Sequence, residues 1–319
     1  MRSGAKRSVC LSMVALALGA CGEAAPTGWI VDREGEAPEL LSEWGIYPAM
    51  DPADPSPAAF AYEPRHPLWS NGTRKHRAFV LPEGATLARG TEEGQWSFPA
   101  GTLLFKTFSD DDGPVETRVV ELEGEGWSYR VFRWNEARTE ATLADIDGAE
   151  ELTLTIDGEP AAHSVPSRRQ CVTCHESAPA VWLGFGAHQR SEALVDELGS
   201  AGVLGDAPVT VATVDTGDPA SDVVVGYLQG NCVHCHNGIA GPANSFDLRP
   251  SVALSNTVGV PTGSSAAEAG TRIVPGSAEE SVLFRSLSGL NELPMPPVGV
   301  DERDGPMIDT IRAWIEGLE

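Results

Sequence analysis

Basic side chains are scarce in this chain: 22 Lys and Arg stand against 46 Asp and Glu in 319 residues, a formal charge of −24. Such a balance excludes nucleic acid as a partner and opposes adhesion to anionic lipid, whereas it suits a basic protein partner. Long apolar runs are missing too. The leader's Val9–Leu18 run is shorter than the ~20 residues of a membrane-spanning helix. Methionine disappears between Met50 and Met295, so the middle of the chain has no thioether to offer. No paired carboxylates, Ser-His-Asp set or glycine-rich phosphate loop stands out. Cysteine is the most informative shortage. Of six, Cys10 and Cys21 lie in the leader and the other four fall into two Cys-x-x-Cys pairs, leaving none for a structural disulfide.

Each pair is followed directly by histidine: Cys171-Val172-Thr173-Cys174-His175 and Cys232-Val233-His234-Cys235-His236. This is the attachment signature of a c-type haem. One helical turn sets the two sulfurs at the separation of the porphyrin vinyls and brings the next imidazole under the iron. Two covalently bound haems are therefore expected, with His175 and His236 as proximal ligands. A four-thiolate zinc site is the competing reading. It leaves both histidines unexplained and needs a loop far longer than a zinc ribbon's.

Residues 1–21 read as an export signal: Arg2, Lys6 and Arg7, the short apolar run, then Leu18-Gly19-Ala20-Cys21, which resembles a lipobox with Cys21 as the lipidated residue. Gly22, rather than aspartate, leans toward the outer membrane of a periplasm-facing lipoprotein. Residues 22–60, rich in Pro, Ala and Glu, read as a tether with Trp29 and Trp44 as anchors. Residues 61–207 read as a β-rich antiparallel domain. Its strands are expected at Arg77–Leu81, Leu103–Phe108, Glu116–Leu122, Gly126–Trp134 and Glu151–Ile156, and turn formers such as Asp110-Asp111-Asp112-Gly113-Pro114 separate them. Sixty-one positions separate Cys171 from Cys232, too few for a complete helical domain and the start of another. The first motif is thus expected against the β domain.

Residues 208–319 read as an all-α class I cytochrome c-like domain, making the chain α+β and multidomain. Its opening helix is expected at Ser221–Gly230, with Gly226 permitting a close helix crossing. A capping box at Ser277-Ala278-Glu279-Glu280 is expected to open a short helix through Leu287. Ile308, Ile311, Trp314, Ile315 and Leu318 repeat at the spacing of an amphipathic closing helix. Between them, Leu293-Pro294-Met295-Pro296-Pro297 holds Met295 in a proline-restricted segment, as the sixth ligand of the second iron. Met307 is the rival and reads as packing.

The chain resembles the exported di-haem c-type cytochromes of bacteria. The resemblance rests on Pro67-Leu68-Trp69-Ser70-Asn71-Gly72, Phe98–Phe108, Glu116-Thr117-Arg118, Pro166-Ser167-Arg168 and the two motifs, and it implies haem without naming a substrate. Phe98-Pro99-Ala100-Gly101-Thr102 leading to Lys106 is also similar to the all-β haem proteins of the cytochrome c prime-beta group. There a lysine can be joined to the haem and a small nitrogen compound oxidised, which would make Lys106 the analogous residue. The first iron's sixth position stays open among His188, His66, His76, His163 and no ligand, while His234 reads as surface. The expected function is periplasmic electron transfer with a redox protein partner. A haem enzyme or gas-binding protein using an open first iron is the alternative.

Overall fold

The computed structural model describes residues 37–91, 94–123, 126–145, 150–176, 178, 182–239, 246–263 and 268–319. The leader and lipobox lie outside them. In chain order the strands are β1 (Phe60–Ala61), β2 (Arg74–Val80), β3 (Ala88–Arg89), β4 (Trp96–Ser97), β5 (Leu103–Asp110), β6 (Gly113–Glu123), β7 (Gly126–Trp134), β8 (Ala141–Leu143), β9 (Glu150–Ile156) and β10 (Glu159–Val165). The helices are α1 (Arg168–His175), α2 (Glu192–Ser200), α3 (Pro219–Asn231), α4 (Ala253–Thr257), α5 (Val282–Leu287) and α6 (Gly305–Glu316).

Six strands form one antiparallel sheet in the order β1-β2-β5-β6-β7-β8. Hairpin connections make this order cheap in chain entropy. At the β5–β6 turn, Asp110 pairs with Gly113, and the Asp110 carboxylate accepts from the amides of Asp112 (3.0 Å) and Gly113 (3.1 Å). The acidic triplet is therefore a self-capped turn. Alternation along the strands sends two side-chain sets to opposite faces. Ala78, Val80, Leu103, Phe105, Val119, Phe132 and Trp134 bury one face under residues 37–59, with Leu41, Trp44, Ile46 and Tyr47 buried in the same cluster. The Trp44 ring meets Phe105 and Phe132 edge-on. Leu41, Trp44, Ile46 and Tyr47 thus anchor the expected tether in the core, while Trp29 lies outside the described residues. On the other face, Phe79, Leu104, Val120 and Tyr129 join Phe98, Trp182, Phe185, Leu194 and Leu198. The hairpin β9–β10 docks through Leu154 on Phe108 and Val115.

The expected all-α class I cytochrome c-like domain at residues 208–319 is overturned, and with it the α+β multidomain assignment. The molecule is mostly antiparallel sheet with a few short helices. The four after residue 208 span 13, 5, 6 and 12 residues, joined by irregular chain. The cause is composition: Pro250, Pro261, Pro275, Pro294, Pro296 and Pro297 stop propagation, and left-handed Gly238, Gly259, Gly276, Gly289 and Gly299 turn the chain. The expected capping box at Ser277 does not open a helix. Ser277 bridges Val274, residues 278–280 are turns, and α5 starts after Ser281, whose hydroxyl donates to the Ser277 carbonyl (2.8 Å). These elements still share an apolar cluster of their own, centred on Val224, Leu228, Ile273, Phe284, Ile311, Trp314 and Ile315. Gly226 does not serve a helix crossing. A Cβ there would meet the His66 ring at 2.6 Å, so glycine lets that ring lie on α3.

Candidate functional site

Cys171 and Cys174, three apart, and His175, one further, share a face of α1. The helix begins where Ser167 and Gln170 cap one another, the Ser167 amide donating to Gln170 Oε1 (2.8 Å). All three motif residues line a cavity of about 2080 Å3, partly open to solvent, between α1 and the sheet. Leu104, Val120, Tyr129 and Trp182 form apolar wall, and the Tyr129 and His175 rings lie 5.6 Å apart.

The second motif stands where α3 ends. His236 donates its amide to the Cys232 carbonyl (2.8 Å), continuing one helical turn past Asn231. Cys232, Cys235, His236 and Met295 line a second cavity of about 1270 Å3 with Leu228, Phe246, Leu248, Leu283 and Ile308. Met295 is fixed by its own backbone: its amide donates to Ser286 O (2.9 Å), and its carbonyl accepts from Arg303 Nη1 (3.4 Å). Met307 packs in the apolar cluster of α3, α5 and α6 and does not line this cavity.

These residues fit a large, flat, covalently held group. All four cysteines are free thiols. Burial, with the neighbouring Cys235, pushes Cys232 up to about 12; burial and Cys174 push Cys235 up to about 11. Burial also raises Cys171 and Cys174, with Arg118 opposing. The His236 imidazole is buried with Nδ1 unpartnered and its pKa lowered by burial and Arg272. Each mainly apolar cavity thus carries two free thiols and the histidine that follows them. Among the described residues, no group of three or more His, Cys, Asp or Glu is gathered to hold a bare metal ion.

The other candidates separate cleanly. His163 is committed to structure: 2% exposed, it bonds Glu116 Oε1 (3.0 Å) and Asn71 Nδ2 (3.2 Å). His76 sits on the sheet face opposite Lys106 and lines neither cavity. His188 also lines neither. It lies near enough to His66 for their charges to interact, and its Nδ1 is buried without a partner. His66 does line the first cavity, clamped by Gln189, which accepts from its amide (3.0 Å) and donates to its carbonyl (3.1 Å). His234, expected at the surface, is instead half-buried. It lines both cavities, and burial followed by His175, His236 and Lys106 lowers its pKa to about 4.

Sequence reasoning missed a buried polar network that joins sheet and C-terminal segment. Glu116, fully buried, accepts through Oε1 from Arg118 and bonds His163, while Oε2 has no partner. Asn71, in left-handed conformation, accepts from the amides of Asp301 (2.8 Å) and Glu302 (3.0 Å). The Asp301 carboxylate in turn accepts from the Ser164 amide (2.7 Å) and hydroxyl (2.8 Å). Trp69 donates its indole N–H to Glu302 O (2.7 Å) and its amide to Asn231 Oδ1 (2.7 Å), beside the second motif. Asn71-Gly72, a turn signal, was visible; its distant partners were not. No family model, curated protein or solved structure matches this chain.

Proposed function

We propose that this protein is an exported di-haem c-type cytochrome that transfers electrons in the periplasm, held to the membrane by lipid on Cys21 and exchanging electrons with a basic redox partner. The observation that carries this is the shared wall. Each Cys-x-x-Cys-His set has its own cavity, and His234 lines both, so the two sites stand one side chain apart. Two c-type haems would supply one-electron redox chemistry at these places. Cys171 and Cys174 would attach the first and His175 would ligate it; Cys232 and Cys235 would attach the second. His236 and Met295, which line the same cavity, would ligate the second. A soft thioether favours reduced iron, so Met295 would make that site the higher in potential. Leu228, Phe246, Leu248 and Leu283 give that cavity apolar walls.

A second reading, a haem enzyme or gas-binding protein, draws on the first cavity. No methionine lines it among the described residues, and polar side chains face it. Haem-stained denaturing gels and intact mass of the mature chain test the main reading. Two haem additions, with acyl mass on a chain beginning at Cys21, are expected. One addition, or none, refutes the di-haem assignment, and an unacylated chain refutes the anchor.

A further inference from the structure

The register of the sheet places three cations in a row. Arg77 of β2 lies opposite Lys106 of β5, and Lys106 lies opposite Arg118 of β6. Neighbouring strands are about 4.8 Å apart, so the three side chains leave the same face within about 10 Å of one another. Like charges directly opposite in a sheet repel, and buried cations must be paired or lose their proton. This row is in the wall of the first cavity, and no Asp or Glu lines that cavity among the described residues, in a chain of net charge −24.

Arg118 spends its guanidinium on Glu116. Arg249, also in the wall, pairs with Asp247. Arg77 is different: only 7% exposed, it faces the cavity and makes no side-chain hydrogen bond or ion pair among the described residues, the Glu63 charge acting on it only from a distance. Lys106 makes no side-chain hydrogen bond or ion pair among the described residues, and the Phe108 ring lies 4.6 Å from its Nζ. Burial, then Arg77, Arg118 and Lys75, lowers the Lys106 pKa well below its ordinary value, against the opposing pull of Glu116. A buried arginine fork without an acceptor, beside an unpaired lysine, is half of a carboxylate or oxyanion site.

We propose that Arg77, Lys106 and Arg118 form an anion-binding site in the first cavity, which takes a carboxylate or small planar oxyanion on the Arg77 fork with Lys106 as second donor. The anion has two possible sources, a free small molecule or the carboxylates carried by a porphyrin attached at Cys171 and Cys174. The inference concerns side chains of the sheet and does not require the haem reading.

Formate is the probe, titrated calorimetrically into the full mature chain in a buffer free of other carboxylates and phosphate. For a free-anion site, one formate per chain binds saturably. Its affinity falls about tenfold or more in Arg77→Gln and Lys106→Met, as for loss of a charge-assisted hydrogen bond. It is unchanged in the surface variant Arg312→Gln. For an internal carboxylate, the wild type takes no formate, but Arg77→Gln moves the porphyrin-carboxylate bending bands in resonance Raman spectra and Arg312→Gln does not. Arg77→Lys keeps the charge and loses the fork, and replaces Arg77→Gln in both arms if that variant does not fold. Formate binding equal in all variants overturns the proposal, and so does absence of both binding and band movement. A haem stain on the same sample keeps the questions apart: formate binding lost in Arg77→Gln in a chain without haem upholds this site and refutes the haem reading.

Discussion

Glu116→Gln probes the buried charge on which the cationic wall is built. Burial pushes the Glu116 carboxyl up, but Arg118 and the His163 hydrogen bond outweigh it and hold the pKa at about 2 instead of 4.5. At about 1.4 kcal/mol per pKa unit this contributes about 3 kcal/mol to stability at neutral pH, an upper figure because Oε2 makes no contact. The folded pKa is depressed, so the contribution is complete above pH 4.5 and is lost as pH falls through 2. Glutamine keeps the shape and removes the charge, leaving the Arg118 guanidinium without its counter-ion beside a fully buried position. Urea unfolding of the two proteins at pH 7 should differ by about 3 kcal/mol, and the gap should close progressively between pH 4.5 and 2. A difference under about 0.5 kcal/mol at pH 7, or parallel acid curves for the two proteins, would refute the reasoning.

Three further outcomes are expected. Met295→Ala should lower the potential of one haem and abolish the methionine–ferric charge-transfer band, whereas Met307→Ala should leave the band; the reverse result moves the ligand to Met307. Reduced protein should bind carbon monoxide at one haem only, and the bound fraction should rise in His66→Ala if that ring, which lines the first cavity, competes for the iron. Two inert haems in both proteins would remove the enzyme and gas-binding readings. Gly226→Ala puts a Cβ 2.6 Å from His66 Cε1 and should cost about 1–3 kcal/mol in urea unfolding. Gly305→Ala, with nothing within 4 Å, should be neutral, and equal effects of the two would show that the His66 contact is absent.

Local chemistry was legible in the sequence because it is written in adjacent residues. The two Cys-x-x-Cys-His sets and the proline-bracketed Met295 are each complete within a few positions. Alternation and turn residues marked the strands in the same way: the run expected at Gly126–Trp134 is β7 with those bounds. Spacing alone also set the first motif near the sheet, since 61 positions hold little chain. What the sequence misjudged was how far helical periodicity extends. Ile308, Ile311 and Trp314 mark one face of α6, yet prolines and left-handed glycines break the chain before it into turns, and an all-α domain does not follow. Contacts between distant residues were decided by tertiary structure alone. The row of Arg77, Lys106 and Arg118 depends on strand register, which pairs Arg77 with Lys106 and Lys106 with Arg118 and which no local pattern specifies. The inward turn of His234, the commitment of His163 to Glu116, and the seating of His66 on Gly226 depend likewise on which surfaces meet once the apolar faces are buried.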